Sequence, residues 1–302
     1  MMRKHPAESM AVFPQHATGP ATRLDLKLPS DRTRLVGMRL SLTCPGFTLL
    51  ALLAVGHVAA AGNLERRTWT VDRVAREALV SIPAEQPPKG GLPVVFAFHG
   101  HGGSMAQASR SFPIHQVWPG AIVVYPQGLP TVGRLTDPQG EKDGWQGEAG
   151  GQGDRDLKFF DAMLASLRKD YRIDDHRIYA TGHSNGGLFT YLLWAERGDV
   201  FAAFAPSAAL LTGGVMKLTP KPVLHIGSPQ DPLVKFVWQE QMIDYVLKLN
   251  GCGPRQPDAT GYTSYPSTKG AEVATYLHDG GHKYPATAPE LIVKFFQAHV
   301  RP

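Results

Sequence analysis

The chain has 302 residues, 43% of them hydrophobic, which is enough for one sizeable core, and length alone permits one or two domains. Its formal charge of +5 belongs mostly to the first 61 residues, which hold 7 of the 31 Lys and Arg but 3 of the 26 Asp and Glu. Residues 62–302 carry 24 against 23, with no clustered basic excess of the kind a nucleic-acid-binding face needs, and Cys252 is their only cysteine, which excludes an internal disulfide there.

The N-terminal part reads as processing sequence. From Met38 a basic start at Arg39 leads into an apolar run from Phe47 to Val55 and then the small residues Ala59, Ala60 and Ala61, the layout of a secretory signal peptide with an A-x-A cleavage site. The run is about nine residues, short of the roughly twenty needed to span a bilayer, so export with cleavage near Ala61 is expected and stable membrane insertion is not. Cys44 precedes the run and is not placed for lipid attachment. Residues 1–37 are polar and without periodicity. They are read as a start-site misassignment or a disordered extension, 38–61 as the signal peptide and 62–302 as a single domain.

From Asn63 onward the elements alternate. "WTVDRV" and "EALVSIP" read as two strands, and "LPVVFAFHG" and "AIVVYPQG" as buried strands whose continuous apolar runs suit a parallel sheet covered on both faces. "DLKFFDAMLASLRKD" has helical spacing, "HRIYATG" follows as a strand, and "NGGLFTYLLWAE" as a helix. "VFAAFAPSAA" and "KPVLHIGS" are short apolar runs, "FVWQEQMIDYVLKLN" a helix, "AEVATYLHD" the last strand and "APELIVKFFQAHV" the closing helix. Such alternation predicts an α/β domain with a mostly parallel central sheet and helices on both faces. Residues 128–153, rich in Gly, Pro and charge, form the one long irregular segment, of a length that is usually functional or disordered.

Residues 182–187, "GHSNGG", sit between a strand and a helix. That context separates a nucleophile elbow from a chance G-x-S-x-G match, because the two glycines clear space for a sharp turn that exposes Ser184, and the next helix begins there. The bland alternative is a helix-capping serine. A serine hydroxyl needs a base and an orienting carboxylate, and in the chain order Ser, acid, His only His225, His278, His282 and His299 follow. His282, in the glycine-rich loop after the last strand, is at the sheet edge where Ser184 emerges and is chosen as base. Asp231, just past a strand's C-terminal end, is chosen as acid over Asp199, which would lie at the opposite edge. "FHGHGGS", residues 98–104, resembles an oxyanion loop, with the backbone N–H groups of His101 and Asn185 as the expected donors. The competing reading, a metal-binding turn, lacks a cysteine or acidic companion close by.

With "GDRDLKFFDAMLASLRKDYRIDDHRIYATGHSNGG", "GSPQDPLVKF" and "GGHKYP" added in that order, the chain resembles the secreted esterase group that includes polyhydroxybutyrate depolymerases of the LpqC type and feruloyl esterases of carbohydrate esterase family one. The resemblance spans nearly all of residues 62–302. It implies an α/β-hydrolase fold, a Ser184, Asp231, His282 triad, and action on esters of hydroxy acids or of phenolic acids on plant polysaccharide. The chain departs from the group at Tyr284, where relatives often have tryptophan, at Cys252, which lacks the partner many relatives have, and at His183, often hydrophobic in relatives.

Trp145 is expected either to wall the acyl pocket or to anchor the long loop, and Tyr284 to contact substrate. Asp154 and Asp156 are expected to cap the next helix or pin the loop. The expectation is therefore a secreted or periplasmic, monomeric serine esterase needing no metal or cofactor. A serine peptidase on the same fold, though without room for a gating domain, and a non-catalytic hydrolase-fold binding protein are the alternatives.

Overall fold

The computed structural model describes residues 63–258 and 260–302; the expected extension and signal peptide lie outside the described residues. In chain order the elements are β1 (Leu64–Val71), β2 (Val74–Ser81), β3 (Leu92–Phe98), α1 (Met105–Ser111), α2 (Ile114–Val117), β4 (Ile122–Pro126), β5 (Leu129–Pro130), β6 (Asp143–Gly144), α3 (Arg155–Asp170), β7 (Ile173–His183) and α4 (Asn185–Arg197). They continue with β8 (Ala203–Ser207), β9 (Val223–Gly227), α5 (Phe236–Asn250), β10 (Gln256–Pro257), β11 (Tyr262–Tyr265), β12 (Val273–Leu277) and α6 (Ala288–Ala298).

One large sheet runs in the order β1-β2-β4-β3-β7-β8-β9-β12-β11-β10. From β4 to β12 every neighbouring pair is parallel, and antiparallel strands close both edges. The period-2 geometry of a strand explains the continuous apolar runs. Along β3, Val94, Phe96 and Phe98 point into one core with α3 and α4, while Val95 and Ala97 point into the other with α1, α2 and α6.

One sequence expectation needs correction. "WTVDRV" is not one strand, because Asp72 and Arg73 take positive φ values of 48° and 68° and make a two-residue turn, with Val71 facing Val74. Positive φ at both loop residues matches the twist of the paired strands, which is why such a turn serves a hairpin. His278, read as part of the last strand, lies one residue beyond β12, and its N–H donates to Gly227 O at 3.0 Å.

The strand order sets where a ligand can sit. From β3 the chain crosses to β4 on one side, and from β7 it crosses to β8 on the other, so the loops leaving β3 and β7 diverge. In open α/β sheets the crevice at such a reversal, beyond the carboxyl ends of the strands, is the usual ligand site. His101 follows β3 there, and Ser184 follows β7.

Candidate active site

Ser184 lies between β7 and α4 with φ 56° and ψ −119°, a conformation that costs an L-residue energy and persists only when its surroundings enforce it. Its N–H donates to Ser207 O at 2.8 Å, and its carbonyl accepts from Leu188 N at 2.8 Å. Glycine is obligatory on both sides: a Cβ on Gly182 would strike the Gly186 carbonyl, and one on Gly186 would strike the Phe98 carbonyl. The sequence therefore buys close approach of strand, turn and helix at these two positions.

The structure brings the three residues chosen from sequence together. His282 Nε2 lies 2.9 Å from Ser184 Oγ, and His282 Nδ1 lies 2.8 Å from Asp231 Oδ2. The side chain of Asp231 is fully buried, whereas that of His282 is 21% exposed and opens to the crevice. Asp231 Oδ1 accepts from the amides of Leu233 and Val234, both at 2.9 Å, so the turn after β9 fixes the carboxylate plane.

Behind Asp231 stands a line of buried polar groups. Gln239 Nε2 donates to Asp231 Oδ2 at 3.2 Å and to Val234 O at 2.6 Å; both partners are acceptors only, which fixes the amide orientation. Gln239 Oε1 then faces His225 Nε2 at 3.2 Å, and His225 Nδ1 faces the Tyr191 hydroxyl at 2.8 Å. Every donor meets an acceptor only if Tyr191 donates to Nδ1 and Nε2–H donates to Gln239. Burial pushes the His225 pKa down to about 4, so the ring is neutral near pH 7. Sequence reasoning set His225 aside as a base and passed over Gln239, whose place within α5 carries no local mark of this contact.

His183 is a second supporting group not recognised from sequence. Its Nε2–H donates to the His282 carbonyl at 3.0 Å, and its Nδ1 accepts from Ser207 Oγ at 3.1 Å, tying the β12–α6 loop to the elbow. Burial first, and then the neighbouring His282, push its pKa down to about 4.

In the loop after β3, the amides of Gly102 and Gly103 bond to Asp143 O at 2.7 Å and Gly100 O at 2.9 Å. Among the described residues no intramolecular hydrogen bond engages the amides of His101 or Asn185. The His101 imidazole donates through Nε2 to Asp137 Oδ2 at 3.0 Å, and the Lys142 amide, with His101, holds the Asp137 carboxyl below its ordinary range. His99 takes the Gly128 amide on Nε2 and gives Nδ1–H to Gly100 O, so both ring nitrogens are occupied. Among the described residues no group of three His, Cys, Asp or Glu side chains could hold a metal ion.

Trp145 is 1% exposed, donates through Nε1 to His99 O at 2.9 Å and stacks on Phe189, so its bulk anchors the long loop while one edge meets the crevice. Asn185 holds the same residue from the helix side, its Oδ1 accepting from Trp145 N and its Nδ2 donating to Trp145 O. Tyr284 packs on Phe112 with ring centroids 4.1 Å apart and on His183, and burial raises its phenol pKa. Asp154 and Asp156 pin the loop. Asp154 Oδ1 accepts from Gln146 and Gly150, and buried Asp156 accepts from Arg76 and the Gln146 amide. Cys252 is free.

Two hollows flank Ser184. One, of about 670 Å³, is bordered by Asn185 and His101 and walled by Leu135, Leu188, Leu210 and Trp238. The other, of about 640 Å³, is bordered by His282 and Tyr284. Both are within the roughly 300–1,000 Å³ of small-molecule sites.

The comparisons with known proteins agree with this architecture. A model of the prolyl oligopeptidase family matches residues 143–234, which include Ser184 and Asp231. The chain is 26% identical over 282 residues to a probable feruloyl esterase C of Aspergillus niger, covering 83% of this chain and 97% of the relative. It is 28% identical over 182 residues to a bifunctional acetylxylan esterase/xylanase of Neocallimastix patriciarum, covering 56% of this chain but spanning only 25% of that longer protein. The acetyl xylan esterase structure from Aspergillus awamori superposes with a TM-score of 0.57 at 13% identity, over 77% of this chain and 99% of that one. Among the described residues no helix is long and apolar enough to cross a membrane. With helices on both faces of a mostly parallel sheet and a sharp positive-φ turn at Ser184 between β7 and α4, the chain has the α/β-hydrolase fold.

Proposed function

We propose that the protein is a serine esterase that works through an acyl-enzyme, with Ser184 as nucleophile, His282 as base and then acid, and Asp231 as the group that orients the imidazole. The observation that carries this reading is the unbroken line from Ser184 Oγ through His282 to Asp231, starting on a serine held in strained backbone. The protein is a carboxylic ester hydrolase, the class of its feruloyl esterase relatives and of the esterase structures sharing its fold.

Ser184 Oγ attacks the ester carbonyl while its proton passes to His282 Nε2. Asp231, already satisfied by two amides, holds Nδ1–H and stabilises the imidazolium. The amides of His101 and Asn185 serve the oxyanion, each such donor being worth about 3–4 kcal/mol. The alcohol leaves with the proton of His282, and water repeats the sequence on the acyl-enzyme.

The hollow beside Asn185 and His101 takes the acyl group, and its apolar walls suit a phenolic acid or the apolar part of a hydroxy acid. The A. niger relative supports feruloyl esters as one substrate class; hydroxyalkanoate oligomers are the other. The basic start, apolar run and small residues of 38–61 support export of a soluble enzyme. The match to the prolyl oligopeptidase family favours a peptidase as the second reading. Hydrolysis of a short-chain chromogenic ester, methyl ferulate, a hydroxybutyrate oligomer and a peptide anilide tests all of these. Ester cleavage abolished by Ser184→Ala supports the proposal, and activity that survives Ser184→Ala refutes it.

A further inference from the structure

We propose that the hollow beside His282 receives the alcohol half of the ester, and that Arg110 and Lys283 at this hollow select alcohols that carry a carboxylate. The inference rests on the triad proposed above and goes further, to the substrate's second half.

The direction follows from proton transfer. When the tetrahedral intermediate collapses, the bond between carbonyl carbon and alcohol oxygen breaks, the carbonyl stays on Ser184 Oγ, and the departing oxygen takes the proton from His282 Nε2. That oxygen must therefore lie within hydrogen-bond reach of Nε2. His282 borders one hollow and is absent from the wall of the other, whereas Asn185 borders only the other. The acyl chain and the alcohol are thereby assigned to opposite sides of Ser184.

The two sides differ in charge. The acyl side includes one cation and one anion, Arg134 and Glu148, among mainly apolar walls. The alcohol side includes Arg110 and Lys283 and no aspartate or glutamate. Both cations are exposed, and among the described residues neither side chain has an ion-pair or hydrogen-bond partner. Asp137, behind the wall, is engaged by His101 and the Lys142 amide. His183 and His99 in the same wall are kept neutral near pH 7 by burial and add no charge.

Arg110 comes from the last turn of α1, whereas Lys283 adjoins the base itself, so a carboxylate a few bonds from the ester oxygen would meet cations supplied by two separate elements. Two unit charges near the protein surface attract modestly and are screened by salt. Selectivity of about five- to tenfold at low ionic strength is therefore expected, rather than an absolute requirement. A hydroxy-acid unit at the end of an oligoester and an acidic sugar both present such a carboxylate.

The test compares matched esters with a common acyl group, using kcat/KM of the full protein. One arm uses a hydroxybutyrate dimer with a free carboxylate beside its methyl ester; the other uses a feruloylated uronic acid beside its uronate methyl ester. A neutral chromogenic ester serves as the control for catalysis. A preference for the free acid in either arm, falling towards parity in 0.5 M salt and in the Arg110→Gln/Lys283→Gln variant, is the expected result, and the arm that shows it identifies the source of the carboxylate. Equal rates on both members of both pairs, or a preference that survives the double substitution, overturns the inference while leaving the esterase reading intact. No cleavage of the neutral ester would instead overturn the esterase reading.

Discussion

Gln239 and His282 meet on the same oxygen of Asp231: Gln239 Nε2 donates to Oδ2 at 3.2 Å, opposite His282 Nδ1 at 2.8 Å. The orientation of Gln239 is in turn held by His225, and that of His225 by Tyr191, so the carboxylate is steadied from deep in the core.

Replacing Gln239 by Leu removes one partner of Asp231 and leaves His225 Nε2–H without an acceptor. A fall in kcat of about tenfold, with KM little changed, is expected from the loss of a charge-assisted hydrogen bond worth roughly 1.5 kcal/mol or more. His225→Phe should produce a similar loss, the double variant little more than either single one, and His225→Gln a partial rescue, since a glutamine can accept from Tyr191 and donate to Gln239. Additive losses that follow thermal stability alone would reduce the line to core packing.

The elbow holds strain at Ser184, with φ 56°. Ser184→Gly is expected to remove activity and raise stability by about 1 kcal/mol, or roughly 2–4 °C in Tm for a domain of this size. Ser184→Ala should remove activity without that gain. Calorimetry of the two variants separates backbone strain from loss of the hydroxyl.

Both His183 and His225 have folded pKa values of about 4, below the ordinary 6.5. The unfolded chain thus binds protons that the folded chain refuses between these values. Stability contributed by neutral, buried histidines is fully present above pH 6.5 and falls as pH drops towards 4, by at most about 1.4 kcal/mol per pH unit for each ring. Thermal melts from pH 7.5 to 4.5 should show this decline, and His225→Gln should flatten it.

Arg76 and Asp156 form an ion pair at 2.8 Å with both side chains almost wholly buried, and Asp156 also holds the amide of Gln146, which lines the hollow beside Asn185. Arg76→Ala would leave the buried carboxylate with only the more distant Arg155 Nε, 3.6 Å from Oδ2, as a cationic partner, at a cost of about 3 kcal/mol. A drop in Tm of at least about 6 °C is expected; a smaller one would mean that water replaces the guanidinium.

The sequence by itself determined the alternation of strands and helices and the elbow at Ser184. These depend on local requirements: apolar periodicity, the absence of Cβ at Gly182 and Gly186, and a histidine and an aspartate placed after strands at the same sheet edge. The hairpin turn at Asp72–Arg73 was missed because a two-residue turn leaves little trace in a run of strand-forming residues. Only the tertiary structure decided that His225 and Gln239 stand behind Asp231, that His183 holds the His282 loop, that most of Trp145 is core, and that the crevice divides into an apolar and a cationic side. The physical reason is separation along the chain: these contacts join different strands and helices across a parallel sheet, where each residue's neighbours are set by strand order rather than by its flanking sequence.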